Sequence, residues 1–323
     1  MPSIAIIIVT YNTGALIKQC LDSIDNGSLQ PTVVILVDNA SHDETPLMIE
    51  NWIQARTKAN EDPDYSNAKF RLIRLSENTG FAGGVNSGLA VAMADANITH
   101  FWLLNPDTEL GPETIAELME GLKQTTAHLI GSRIEYIEPA EIIQSDGGVI
   151  DKKLGICRNI HGGLPNSTPR PNCTLDFVSG ANMIVTRRFV EEVGEMCDEY
   201  FLYYEEVDWA LRGKDLGLGL EILEKAVVYH VGGSTIGTKT AARKRSPLSS
   251  YFLMRGRILF MRKFFPNYVA LSAVYSLAQC AAMFFRESPE SSMAALKGVL
   301  NLAPPAAVQT QLSGSSLERT WQT

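Results

Sequence analysis

The order of apolar runs in the first 130 residues constrains the fold more than any other feature of the chain. Short β-branched runs (IAIIIV from Ile4, TVVILV from Thr32, FRLIRL from Phe70 and HFWLL from His100) alternate with segments of helical periodicity at Leu16 to Ile24, Leu47 to Ile53 and Val85 to Met93. Strands separated by helices pair in parallel through right-handed crossovers, so the pattern predicts an α/β fold with a mainly parallel sheet covered on both faces. Ligands of such sheets bind beyond the carboxyl ends of the strands. The segments that follow each run are Thr10 to Asn12, Asp38 to Glu44, Ser76 to Gly88 and Asn105 to Leu110. Ser41 and Glu44 also fit a capping box that opens the next helix.

Beyond Gly131, SDGGVIDKKLG and NIHGGLPNSTPRPN predict loops or a hairpin that bends over the site. FVSGANMIVTRRFVEEVG reads as a strand and a helix, and YEEVDWALR as a helix ending near Gly217, before a strand that runs into AVVYH. The expected division is a catalytic domain over 1–236, with halves 1–130 and 131–236, then a helical, partly basic region over 237–310 and a disordered tail over 311–323.

A net charge of −8 argues against nucleic acid as a partner. Yet Lys239, Arg243, Lys244, Arg245, Arg255, Arg257, Arg262 and Lys263 are uninterrupted by any acid. Five cysteines, widely spaced and odd in number, offer no Cys-x-x-Cys pair for zinc or dithiol chemistry and fit a reducing compartment. IAIIIV has neither a basic flank nor a small-residue cleavage site and reads as a buried strand, not a secretory leader. Tyr268 to Phe285 is uncharged over 18 residues, about 27 Å of helix against about 30 Å of hydrocarbon. A helix that is buried or lies in a membrane interface is expected there in preference to a span.

A dinucleotide fold places Gly-x-Gly-x-x-Gly after the first strand, where this chain has Thr10-Tyr11-Asn12-Thr13-Gly14. Gly80, Gly83, Gly84 and Gly88 follow the third strand instead, where missing side chains let backbone approach a ligand. The displacement disfavours a nucleotide-dependent oxidoreductase. VTYNTG, VDNASHD, ENTGFAGGVNSG, LLNPDTEL, FVSGANMIV, YYEEVDWALR and VYHVGGST, in this order, resemble the family 2 glycosyltransferases, particularly bacterial rhamnosyltransferase-like members, from about Ile4 to Thr235.

The resemblance implies a GT-A type fold, one Rossmann-like nucleotide-binding sheet with a C-terminal helical appendage, and transfer with inversion. It implies a pyrimidine-nucleotide diphosphate sugar as donor (dTDP or UDP, with dTDP-L-rhamnose the leading candidate), Mn²⁺ or Mg²⁺ as cofactor, and a glycan or lipid-linked glycan acceptor in cell-surface polysaccharide synthesis. The location implied is the cytoplasm, including the inner face of the cell membrane. Residue by residue, Thr10, Tyr11 and Asn12 match the nucleoside position and Asp38 the acid that accepts from a pyrimidine N3–H. Gly83, Gly84, Asn86 and Asn105 are expected on the donor side. Asp107 matches the last acid of the family's Asp-x-Asp motif and His230 a histidine that completes the metal shell; Asn105 replaces the motif's first acid.

An acceptor hydroxyl needs a base to take its proton as the new bond forms. FLYYEEVDWALR supplies three carboxylates in four residues. Glu206 matches the family's base position, where aspartate is usual; Glu205 is the second choice, and Asp208 is placed to pair with Arg212 at i+4. Asn105 and Glu206 are the departures on which a third reading rests, a catalytically degenerate binding protein. Arginines alternating with aromatics from Tyr251 to Phe265 fit either an amphipathic helix on an anionic leaflet or a helix packed on the catalytic domain that makes a homodimer. GTKTAARKRS, 237–246, is expected to close on the donor.

Overall fold

The computed structural model describes residues 2–59, 69–231 and 245–312. GGST, most of GTKTAARKRS and the tail from 313 lie outside the described residues. The four runs form β1 (Ile4–Thr10), β2 (Val33–Asp38), β3 (Phe70–Arg74) and β4 (His100–Leu104). Between them lie α1 (Leu16–Asp25), α2 (Thr45–Ala59) and α3 (Gly80–Met93). There follow β5 (Thr108–Leu110), α4 (Thr114–Gln124), β6 (Leu129–Tyr136), β7 (Ile143–Ser145), the hairpin of β8 (Gly148–Asp151) and β9 (Ile156–Asn159), β10 (Asn182–Thr186), α5 (Arg187–Val193), α6 (Glu205–Asp215) and β11 (Leu220–His230).

The main sheet has nine strands in the order β3-β2-β1-β4-β10-β6-β11-β5, with β7 paired to β6. Six of them point one way; β5, β7 and β10 are reversed. β1 explains why its run is apolar without alternation. Ile4, Ile6 and Ile8 enter a core under α1, α2 and α4, while Ala5, Ile7 and Val9 enter the opposite core under α3, α6 and the C-terminal helices.

The glycine-rich segment is helical: α3 begins at Gly80. A Cβ on Gly84 would stand 2.5 Å from Val9 Cγ1, and one on Gly88 2.5 Å from Ile7 Cγ2. These glycines therefore bring α3 against β1, closer than any side chain permits. The capping box at Ser41 is not formed, since the Ser41 hydroxyl accepts from the Asn12 N–H and α2 begins at Thr45.

Four helices complete the fold: α7 (Pro247–Phe264), α8 (Val269–Arg286), α9 (Pro289–Val299) and α10 (Ala306–Gln309). α7 is anchored in the domain, with Phe260 and Met261 in the same core as Val207 and Ile150. The leaflet-facing reading of α7 is overturned by its arginines. Arg255 and Arg257 are buried, Arg255 donating to the Glu199 carbonyl at 2.7 Å and Arg257 to Tyr204, Ser276 and Gln279. Lys263 pairs with Asp208 at 2.6 Å. Arg255, Arg257 and Lys263 are the helix's polar anchors to the interior, while Arg262 stays exposed.

Gly84→Ala is expected to lower stability by about 1–3 kcal/mol, through overpacking against Val9, in urea denaturation. An unchanged midpoint would show that α3 can yield there, and that the close approach is not required.

Candidate active site

A cavity of about 700 Å³ opens at the carboxyl ends of the parallel strands. Tyr11, Asn12, Asn105, Asp107, Glu205, Glu206 and His230, all expected site residues, line it together. A second cavity of about 610 Å³, beside Arg170 and Lys214, is lined by none of them.

One end of the cavity is built from the turns after β1 and β2. Asn12 adopts φ +51°, a left-handed conformation that asparagine tolerates, and its side-chain oxygen accepts from the His42 N–H at 2.8 Å. Thr10 and Asp38 lie under this wall at the strand ends, both buried. Asp38 Oδ2 accepts from the Ser41 N–H at 3.3 Å, and Oδ1 is 3.5 Å from the Thr10 hydroxyl.

Like Thr10 and Asp38, the expected residues Gly83, Gly84 and Asn86 do not line this cavity. A Cβ on Gly83 would meet Thr79, Gly84 packs on Val9, and Asn86 exchanges hydrogen bonds with the backbone of Met196 at 2.8 and 3.0 Å. Their part of the wall is supplied by Asn39, Asn78, Gly80 and Phe81. Asn39 was not singled out in the sequence although it follows Asp38. It donates to the Gly80 carbonyl and accepts from the Thr79 N–H, both at 2.8 Å, so it ties the second strand end to the start of α3.

Asp107 and His230 meet because β5 pairs antiparallel with β11, placing Thr108 opposite His230. His230 Nε2 lies 3.0 Å from Asp107 Oδ1, and Nδ1 lies 2.6 Å from Gln144 Oε1. The Gln144 amide holds the ring at Nδ1 and leaves Nε2 facing the carboxylate. A carboxylate and an imidazole nitrogen at that distance can share a proton or hold a metal ion. Gln144 carries no signal in the sequence, being one polar residue in a hairpin-rich stretch. Among the described residues no third His, Cys, Asp or Glu joins the pair.

Glu205 and Glu206 open α6 after a backbone that turns against its preference. Phe201, Tyr203 and Tyr204 all have positive φ, +63°, +68° and +74°. Non-glycine residues hold such angles only when their surroundings over-determine them. Phe201 stacks on Phe252 at 4.7 Å, the Tyr203 hydroxyl meets that of Ser249 at 2.7 Å, and the Tyr204 hydroxyl donates to the Gly155 carbonyl at 2.6 Å. The aromatics of FLYYEE are thus pinned by α7 and the β8–β9 hairpin. The Phe201 carbonyl also accepts from the Phe81 N–H at 2.9 Å, joining this turn to α3.

Glu205 is 4% exposed and its Oε2 has no hydrogen-bond partner among the described residues. Burial, and then the charge of Glu206, raise it well above the ordinary carboxylate range. Burial also pushes Glu206 up to about 7. Asp208 is excluded from the cavity; it is fully buried between Tyr200, Arg212 and Lys263.

The profile of Glycosyl transferase family 2 matches residues 5–194. The chain belongs to this family. Over 309 residues it is 24% identical to the low-salt glycan biosynthesis hexosyltransferase Agl10 of Haloferax volcanii, with 93% of this chain and 91% of that protein covered. It is 26% identical over 257 residues to an N-acetylglucosaminyl-diphospho-decaprenol L-rhamnosyltransferase of Mycobacterium tuberculosis, covering 71% of this chain and 76% of that one. Its fold is similar, at TM-score 0.55 and 15% identity, to mannosyltransferase PcManGT of Pyrobaculum calidifontis in complex with GDP-Man and Mn²⁺, with 98% and 80% covered. The fold is of GT-A type, and the chain is a glycosyltransferase that uses a nucleotide-sugar donor.

In this glycosyltransferase the raised carboxyls link stability to pH. An acid raised on folding stabilises the protein fully only below its unfolded value near 4.5, and that contribution is lost as pH rises through the folded value. Thermal stability is therefore expected to fall from about pH 5 to about pH 8, and Glu205→Gln to lessen that fall and be the more stable protein at pH 8. Parallel melting curves across this range for the two proteins would contradict the burial of an ionisable Glu205.

Proposed function

We propose that the chain is an inverting glycosyltransferase that moves a sugar, L-rhamnose first among candidates, from dTDP or UDP to a hydroxyl of a glycan or lipid-linked glycan. The observation that carries this reading is the placement of Glu205 and Glu206 in one cavity with the Asp107–His230 pair. Rhamnose and a lipid-linked acceptor draw support from the mycobacterial relative, whose name specifies both. The oxidoreductase alternative has lost its footing, because the displaced glycines serve helix packing.

Asp107 and His230 are the residues that would hold Mn²⁺ or Mg²⁺, and a carboxylate with an imidazole is a donor set suited to Mn²⁺ in particular. Such an ion, when bound, supplies positive charge against the diphosphate of the departing nucleotide. Asn105 lines the same wall as a neutral neighbour. At the nucleoside end Tyr11 and Asn12 line the wall, and Asp38, buried beneath it at the end of β2, is the acceptor that the resemblance offers for a pyrimidine N3–H.

Glu206 is the base in this reading and Glu205 its buried neighbour. Glu206 is the more exposed of the two and stands against Gly180, where a Cβ would lie 3.7 Å from its own. A carboxylate near pH 7 in its titration balances availability of the basic form against proton affinity. Glu206 takes the acceptor proton as the hydroxyl oxygen bonds to the anomeric carbon; the bond from that carbon to the phosphate oxygen breaks, and the nucleotide leaves with its electron pair. Attack from the face opposite the leaving group inverts the anomeric centre.

A panel of dTDP-, UDP- and GDP-sugars, with and without Mn²⁺, tests the donor by thermal shift and slow donor hydrolysis. Pyrimidine donors are expected to raise the melting temperature most, and more with Mn²⁺. Glu206→Gln should keep that shift while transfer falls by about 10²–10⁴-fold. Transfer that survives the substitution removes Glu206 as the base, and a preference for GDP-sugars removes the pyrimidine reading.

A further inference from the structure

The helix α8 is built inside out. Its protein-facing stripe is Ser272, Ser276, Cys280 and Met283, half of it hydroxyls, with Gln279 at the edge. Their polar atoms are satisfied inward: Ser272 donates to the Leu154 carbonyl at 2.8 Å, while Ser276 and Gln279 accept from buried Arg257. The outward stripe holds Leu271, Val274, Tyr275, Leu277, Phe284 and Phe285, with Val274 65% and Phe285 87% exposed. A helix facing water carries the opposite pattern. An apolar stripe of this extent marks an interaction surface.

We propose that the outward face of α8 docks the protein onto an anionic lipid surface, the helix lying in the plane of the interface. Three features select lipid. Residues 246–286 hold five cationic side chains and no acid in a chain of net charge −8. Of these Arg262 and Arg286 are exposed, Arg286 directly after Phe285, and Lys152 and Lys153, also exposed, precede the Leu154 to which Ser272 is bonded. Glu290 and the half-buried Glu287 lie only at the far end. Tyr268 and Phe284–Phe285 bracket the stripe, and amphipathic or aromatic rings favour the headgroup boundary.

The helix lies on the bilayer and does not cross it, because both its flanks return to one body. α7 precedes it and α9 follows it, and these two pack so closely that a Cβ on Gly298 would stand 2.3 Å from the Tyr251 carbonyl oxygen. Ser292 of α9 further donates to the Cys280 carbonyl of α8 at 2.8 Å. The basic residues that the sequence offered for a leaflet are therefore mostly anchors, and the surface that meets lipid is the next helix. This inference stands independently of the sugar and acceptor proposed above.

Flotation with vesicles of phosphatidylcholine alone, and with about 30% phosphatidylglycerol, tests it. The wild-type chain is expected to float with the anionic vesicles, less at high salt, and the double substitution Val274→Glu, Phe285→Glu to lower the bound fraction by about tenfold or more. Both positions point outward, so circular dichroism and donor hydrolysis without vesicles should match the wild type. A wild-type chain that stays with the bottom fraction overturns the proposal, as does equal flotation of the variant. A wild-type dimer in sedimentation that the same substitutions split, without vesicle binding, assigns the face to a second copy and likewise overturns it.

Discussion

The pairing of β5 with β11 is the join on which the site depends. Three residues of β5 are enough to fix the register, and that register sets His230 against Asp107 across 123 positions of sequence. A slip of one residue would turn His230 to the other face of the sheet, away from Asp107. Gln144 then holds the imidazole in place, since it occupies Nδ1 and leaves Nε2 facing Asp107. The nucleotide half of the sheet supplies Asp107 and the later half supplies His230, so the chemistry exists only when both have folded onto each other.

The second requirement is strain held in place. Three residues at positive φ between Phe201 and Tyr204 turn the chain sharply into α6, and their rings are clamped from three directions by Phe252, Ser249 and Gly155. The C-terminal helices are in this sense part of the catalytic domain, because α7 supplies two of those clamps. The result is a helix N-terminus whose first two residues are carboxylates in a buried position, where the helix dipole favours their charge and burial opposes it. Burial wins, and both carboxyls are raised on folding. The same turn receives the Phe81 N–H, so the cavity walls built by α3 and by the turn into α6 share a hydrogen bond.

Much of this was legible in the sequence, for identifiable reasons. β1 and β2 are apolar on both faces because helices cover both, and that composition has no other common meaning in a chain of alternating elements. Of the acids that follow strands, Asp107 lines the cavity and Asp38 lies buried beneath its wall. Gly84 and Gly88 were less legible: a glycine serving a ligand and a glycine serving a neighbouring strand look alike until Val9 and Ile7 are seen opposite. Arg255 and Arg257 misled for a related reason, since a cation buried on carbonyl and hydroxyl partners leaves the same trace as one in water. The positive φ angles left none at all, because Phe201, Tyr203 and Tyr204 are not residues chosen for that conformation. Tertiary contacts enforce it, and only the fold displays them.

The central claim is spatial: one cation site at Asp107 and His230, across one cavity from Glu206. Its most direct measurement is an anomalous difference map at the manganese absorption edge, from crystals grown with Mn²⁺ and dTDP or UDP. The account predicts a strong peak in coordinating contact with both Asp107 and His230, and a diphosphate whose free end faces Glu206. A nucleotide bound with no manganese at that pair, or bound in a different cavity, would contradict it.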